Sequence, residues 1–238
     1  AEQGITDVVN TVHFQHPKVE FDEITHQRIS DIINNLQDEL NNHELPVTLH
    51  SGAEVFYLPN LLDLKADPLA TFDHGKYMLI EFQFHHIPES QKHVLFDLKM
   101  SGVTPIIAHP ERYRLVQENI TLIYDWLNAG CLVQVDAGSV LGFLGKSAQQ
   151  TAEKIIKNKW CQILGSDAHN DRKRNFCLLE AYEIVQDWVG NDARAMVFDH
   201  PRAVLAGQPI SVDVETIPEE IPGLWKKLKH RYTKRVYQ

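Results

Sequence analysis

The sequence predicts an α/β fold built on a parallel sheet. Three observations predict it. Short apolar runs alternate with amphipathic stretches at intervals of roughly 20–35 residues, as parallel strands joined by crossover helices do. Each apolar run ends at or near a histidine or an acid. All of the runs end this way, where an open doubly wound sheet would use only one or two crevice strands, so a closed or nearly closed barrel with ligands converging on one axis is favoured.

Taken in order, residues 1–4 read as the end of a helix stopped by Gly4, and the chain, which opens without methionine, reads as one whose beginning is missing. Ile5 to Val12 is the first strand and runs into His13. His16, beside Pro17, reads as a solvated loop residue. Residues 20–42 carry Ile24, Ile29, Ile32, Ile33, Leu36 and Leu40 close to helical period, with Asp22 as a candidate N-cap. Val47 to Leu49 is the second strand, with Glu54 placed past Gly52. Leu58 to Thr71, broken by Pro59 and Pro68, reads as short helical turns.

Tyr77 to Phe84 is the third strand. Its Glu81 sits among apolar neighbours, and a buried carboxylate must be protonated or paired with a cation. Ser90 to Met100 is a helix stopped by Gly102. Val103 to Ala108 then delivers His109-Pro110-Glu111-Arg112. A helix over 119–129 with Gly130 as its stop leads to strand Cys131 to Val135, which ends at Asp136. A helix over 146–158 precedes the last apolar run, Cys161 to Leu164, which stops at Gly165-Ser166 before Asp167 and His169. Two residues apart on an extended segment, those side chains would share a side. Asn175 to Val189 is a helix with Leu178, Leu179, Ala181, Tyr182, Ile184 and Val185 as core candidates, and 192–206 is a closing helical region. The expected organisation is one domain over 1–210, then an acidic, proline-containing linker and basic tail over 211–238.

Composition narrows the function. The 238 residues are 43% hydrophobic with a net charge of −9, and the tail from Gly223 is basic without an acid, so the rest is more acidic still. Such a body argues against nucleic-acid binding. Cys131, Cys161 and Cys177 form no CxxC pair and read as core residues in a reducing compartment, not as nucleophiles. With no membrane-length apolar run and no signal peptide, a cytoplasmic site is expected.

His13, Glu54, Glu81, His109, Asp167 and His169 form a nitrogen and oxygen donor set without thiolate, suited to zinc, manganese or iron. Carboxylates can bridge two cations ~3.5–4 Å apart, which clamp the attacking and leaving oxygens of a hydrolytic displacement. Arg112 and Arg174 follow His109 and His169 closely, and a guanidinium matches phosphate oxygens. Spacing alone leaves both open as surface arginines.

These residues resemble a known family. Thr11-Val12-His13, Gly52-Ala53-Glu54-Val55, Leu79-Ile80-Glu81-Phe82, Ile107-Ala108-His109-Pro110-Glu111-Arg112 and Ser166-Asp167-Ala168-His169-Asn170, with Arg174-Asn175-Phe176, are similar to the polymerase-and-histidinol-phosphatase (PHP) superfamily. The similarity is greatest to its bacterial manganese-dependent protein tyrosine phosphatases of capsule and exopolysaccharide operons, the CpsB/YwqE type. The resemblance implies a distorted (β/α)7 TIM-like barrel with up to three divalent ions, manganese first, with iron, zinc, cobalt or magnesium as alternatives. It implies Glu54 as bridging carboxylate, Glu81 and His109 completing one site, Asp167 in a second, and His13 with His169 in a third. Arg112 and Arg174 would hold the phosphoryl group and act in catalysis, and a metal-bound hydroxide would attack phosphorus. No ligand role carries over to Asp136, a polar pocket residue.

The family's opening His-x-His strand has no counterpart here, so the first strand of the barrel is expected to be missing from this chain. Val12 stands where the family usually has proline, and Phe56 where a basic residue is common. The implied substrate is a phosphotyrosine protein, in particular a membrane-associated bacterial tyrosine kinase. Residues 223–238 are either a solvated charge run or a contact with anionic lipid at the inner face of the membrane. Two rivals remain: a phosphoesterase of small esters such as histidinol phosphate, and a non-catalytic binding barrel.

Overall fold

A computed structural model describes residues 1–17, 19 and 24–212. Among them, six parallel strands form one sheet in chain order: β1 (Asp7–Phe14), β2 (Thr48–Phe56), β3 (Tyr77–Glu81), β4 (Thr104–Ala108), β5 (Leu132–Asp136) and β6 (Ile163–Gly165). The expected near-closure is not reached, because β1 and β6 do not pair. The sheet is a curled half-barrel with two free edges. Its curl still brings those edges together at one end, where the rings of His13, on β1, and His169, beyond β6, lie 6.0 Å apart.

Crossover helices return the chain between parallel strands. Helix α1 (His26–Asn42) starts later than its apolar pattern suggests, because the Thr25 side chain accepts from Arg28 N and caps it there. The candidate cap Asp22 lies outside the described residues. Ile32 and Leu36 face solvent, contrary to the periodic reading. The inner stripe uses Gln37 instead, whose amide donates to Val47 O at 3.0 Å and accepts from Leu49 N at 2.8 Å, satisfying backbone at the entry to β2.

The remaining helices are α2 (Gln91–Met100), α3 (Arg114–Glu118), α4 (Thr121–Asn128), α5 (Ala137–Val140), α6 (Lys146–Lys157), α7 (Leu178–Val189), α8 (Asp192–Arg194) and α9 (His200–Leu205). A single π turn, Ala195–Asp199, joins α8 to α9. On α7 the core side is Ala181 and Val185, while Leu179 points outward. Residues 1–4 form a turn rather than a helix end, with Gly4 N donating to Ala1 O. None of these helices is long and apolar enough to cross a membrane.

The larger core cluster lies between the helices and the sheet face of Val55, Ile80, Ile107 and Val133, and a smaller one, with Leu79, Ile106, Leu132 and Ile163, fills the opposite face. Phe82 stacks on Trp126 at 5.6 Å and on Tyr57 at 4.8 Å, and Trp126 Nε1 donates to buried Gln91 Oε1 at 2.9 Å. Burying rings of this size supplies much of a domain's hydrophobic stabilisation. Tyr113 ties this core to the strand ends: its hydroxyl accepts from Phe82 N at 3.0 Å and donates to Ala108 O at 2.7 Å. The three cysteines are free and buried, as expected of core residues.

Candidate metal and phosphate site

Strand register assembles the site. His13 on β1 is paired with Glu54 on β2, and Phe56 two residues further is paired with Glu81 on β3. Side chains at matching positions of neighbouring strands share a face, so His13, Glu54 and Glu81 converge. Each offers a donor atom, and those atoms lie within 4.8 Å of one another. Glu54 is inside β2, not in the loop where the sequence reading put it, because the strand continues through Gly52 to Phe56. His109 enters from the end of β4, with Nε2 at 3.1 Å from Glu54 Oε1 and 3.6 Å from Glu81 Oε1. His13 Nε2 lies 3.4 Å from the other Glu54 oxygen.

The loop after β6 supplies the opposite wall. Asp167 and His169 do face one side, but not on extended backbone. Asp167 has φ +44°, a left-handed conformation uncommon for a non-glycine residue. That turn lets the Asp167 carbonyl accept from His169 Nδ1 at 2.8 Å. Because a carbonyl can only accept, Nδ1 donates this bond, which leaves Nε2 as the nitrogen that can face a ligand. His109 also has positive φ, +30°. Arg112 and Arg174 are not surface arginines: both are partly buried and both donate to Asp167 Oδ2, Arg112 at 2.7 Å.

All eight residues singled out in the sequence (His13, Glu54, Glu81, His109, Arg112, Asp167, His169 and Arg174) line one cavity of about 300 Å3. Val19 and His16 line it too. His16 is the loop residue expected, but half-buried against this cavity rather than fully solvated. Its ring lies 5.3 Å from that of His13 and 5.0 Å from that of Phe56. A larger cleft of about 460 Å3 opens at the other end of β1, lined by Thr6, Asp7, His50, Phe198 and Arg202 among others. It holds none of the converging donors, so size alone does not locate the chemistry.

The site's electrostatics suit a cation. Burial pushes the Glu54 carboxyl up, but the hydrogen bond and charge of His109, with His13 and Arg112, outweigh burial and hold it below its usual value. Glu81 goes the other way, raised by burial and by the negative charge of Glu54. Burial pushes His109 down, but the Glu54 hydrogen bond and charge prevail and raise it. Glu54 held charged, with Glu81 raised by that charge beside it, is a carboxylate pair that a divalent ion would satisfy. His109 Nδ1 is buried without a hydrogen-bond partner among the described residues, so its tautomer answers only to what stands at Nε2.

Behind the cavity lie two acids. Asp136, expected as a pocket residue, is buried; its carboxylate caps α5 by accepting from Gly138 N at 2.7 Å and sits 3.6 Å from Arg112 Nη1. Burial, then the charge of Asp167, pushes it up to about 6. Glu111 was not singled out in the sequence. It is fully buried and accepts from Asp136 N at 3.1 Å, and its other oxygen has no partner in hydrogen-bonding geometry among the described residues. Burial and the charge of Asp136 push it up to about 7.

Comparison with known proteins gives the site a context. A family model described as capsular polysaccharide synthesis, CpsB/CapC, matches residues 1–206. The tyrosine-protein phosphatase YwqE of Bacillus subtilis is 29% identical over 209 residues, spanning 87% of this chain and 81% of the relative. The tyrosine-protein phosphatase CpsB of Streptococcus pneumoniae is 26% identical over 220 residues, spanning 87% of each. One solved chain, from crystal structures of YwqE and CpsB described as unique metal-dependent tyrosine phosphatases, superposes with a TM-score of 0.82. It is 29% identical and covers 90% of this chain and 85% of its own.

Proposed function

The chain belongs to the CpsB/CapC family of capsular polysaccharide synthesis proteins, and on that premise we propose that it is a metal-dependent protein tyrosine phosphatase. The observation that carries this reading is the facing of two walls across one small cavity. On one stand the donors His13, Glu54, Glu81 and His109, and on the other Arg112 and Arg174 converge on Asp167. A divalent cation bound there, with manganese as the first choice, would supply Lewis acidity toward phosphoryl oxygens and lower the pKa of a coordinated water.

The protein's own groups do the rest. Glu54, between His13 and His109, would hold a cation together with Glu81 and His109, and Asp167 and His169 would offer donors from the far wall. Arg112 and Arg174 are placed to exchange Asp167 for phosphoryl oxygens and to balance charge as the ester bond breaks. A cysteinyl route is disfavoured, because burial pushes the thiols of Cys131 and Cys161 up to about 12 and that of Cys177 to about 11.

The finer architecture we propose is a distorted (β/α)7 barrel of PHP type, in which the free edges of β1 and β6 are where a further strand would pair. The catalytic unit is 1–210, and 211–238 is a linker and basic tail, of which 213–238 lie outside the described residues. The substrate is a phosphotyrosine protein, in particular a tyrosine kinase of polysaccharide synthesis at the cytoplasmic face of the membrane. Manganese-dependent hydrolysis of a phosphotyrosine peptide, measured beside histidinol phosphate, tests the reading. Preference for the peptide, abolished by His109→Ala, is expected. Preference for the small ester, or hydrolysis that survives His109→Ala, would overturn it.

A further inference from the structure

We propose that His16 and Phe56 form an aromatic wall at the mouth of the metal cavity that recognises the phenyl ring of the substrate and so selects aryl over alkyl phosphate esters. This inference rests on the phosphatase reading and adds to it the part of the protein that reads the leaving group.

Position argues for it first. Phe56 follows Glu54 by two residues on the same strand, so both side chains project from one face. A strand rises about 3.3 Å per residue, which sets Phe56 about 6.6 Å beyond Glu54 toward the carboxyl end. It is paired in register with Glu81, another donor of the cavity. The wall therefore stands level with Glu81 and one layer outside Glu54. A phosphoryl group among the donors and arginines puts an aryl ring, joined through a single ester oxygen, in that layer. An alkyl ester puts only methylene groups there.

Geometry argues for it second. The His16 ring lines the cavity, and Phe56 braces it at 5.0 Å and 78°, an edge-to-face contact. His16 is tilted 32° against His13 at 5.3 Å, so its orientation is set from two sides. Rings held this way have little freedom left to lose when a third ring stacks. Electron-rich carboxylates crowd the floor of the cavity, but the layer of His16 and Phe56 is aromatic. That change of character with depth matches a substrate that is an anion at one end and an arene at the other.

Three variants of the manganese-loaded protein test the proposal: Phe56→Leu, which keeps apolar volume without a ring; His16→Ala; and His16→Phe, which keeps a ring without nitrogens. The readout is the ratio of kcat/KM for phenyl phosphate to that for ethyl phosphate. Affinity for phenylphosphonate and ethylphosphonate by calorimetry gives a readout independent of turnover, and thermal melting checks folding. The ratio should fall about five-fold in Phe56→Leu and in His16→Ala and be retained in His16→Phe, with the phosphonate affinities following it. Equal losses for both esters would overturn the proposal and give the pair a purely structural role. Loss of both activities in His16→Phe would overturn it in favour of His16 as a metal ligand. If the unaltered protein hydrolyses neither ester nor a phosphotyrosine peptide, the phosphatase reading falls and this inference with it; if it hydrolyses them with a ratio the variants do not change, only this inference falls.

Discussion

Arg112 reaches across 55 residues of chain to donate from Nη1 to Asp167 Oδ2 at 2.7 Å. The same carboxylate oxygen also accepts from Arg174. A cation claiming that oxygen of Asp167 competes with guanidinium, and a guanidinium it displaces is then free for a phosphoryl oxygen. Arg112→Ala should lower kcat/KM for phosphotyrosine peptide by roughly a hundredfold or more, the scale of losing one preorganised donor to a developing anion. Manganese affinity, followed by titration, should hold or tighten, because a competitor of the ion is gone. Arg112→Lys should recover little, since a point charge cannot bridge two acceptors as a planar fork does. Weakened manganese binding in Arg112→Ala would contradict this competition.

Glu54 is buried between His13 and His109, and its two oxygens meet one histidine each. Exchange for glutamine keeps the volume and removes the charge that any ion there needs. In the unaltered protein, manganese at a hundred times its Kd should stabilise the fold by about 2.7 kcal/mol through mass action, and chelator should reverse it. Glu54→Gln should lose most of that rise in Tm. A Tm that responds fully to manganese in this variant would move the principal ion away from Glu54.

The strand ends were legible because an apolar run that stops at a histidine or acid survives in one dimension, and register then does what sequence order cannot show. His13, Glu54 and Glu81 meet only because β1, β2 and β3 pair in parallel with those positions nearly level. His16 does lie in a loop, as Pro17 beside it signals, but nothing local reports that Phe56, on β2, packs edge-to-face against it. Glu111 was hidden between His109 and Arg112, whose chemistry is more obvious. The left-handed turn at Asp167 has no compositional mark, since glycine, the residue that would signal it, is absent there. Ile32 and Leu36 match the helical period but sit one step off the stripe that α1 buries.

Tyr113 links the ends of β3 and β4 through one hydroxyl, between Phe82 N, just past β3, and Ala108 O, at the end of β4. Phe82 follows Glu81, and Ala108 precedes His109, so the hydroxyl sets the spacing of those two donors. Tyr113→Phe leaves a buried donor and a buried acceptor unmet, a cost of about 1–3 kcal/mol. Tm should fall by roughly 5 °C, and manganese affinity by roughly tenfold, as when other supports of metal ligands are removed. Tyr57→Phe is the contrast: that hydroxyl meets only Ser90 at 3.3 Å, away from the donors, and its loss should leave manganese affinity unchanged. Equal effects of the two variants on affinity would show that Tyr113 supports only the core.

Glu111 predicts a pH dependence of the metal-free protein. Its carboxyl is pushed up to about 7 from an unfolded value of 4.5, by burial first and then by the charge of Asp136. The folded state therefore holds a proton that the unfolded state has already released between about pH 4.5 and 7. Stability from this group is fully present below the lower value and is lost as pH rises through the upper one. Full loss corresponds to about 3 kcal/mol. Glu111→Gln keeps an oxygen for Asp136 N, with which Oε1 now bonds at 3.1 Å, and removes the ionisation. The variant should melt close to the unaltered protein at pH 5 and several degrees above it at pH 8. Asp136, pushed up to about 6, tilts the profile the same way in both proteins and so drops out of their difference, apart from the repulsion that Glu111 itself contributes. Thermal unfolding of both proteins in chelator across pH 5–8 measures the gap. A gap that stays constant with pH would mean that Glu111 is ionised throughout, with a cation other than solvent protons beside it.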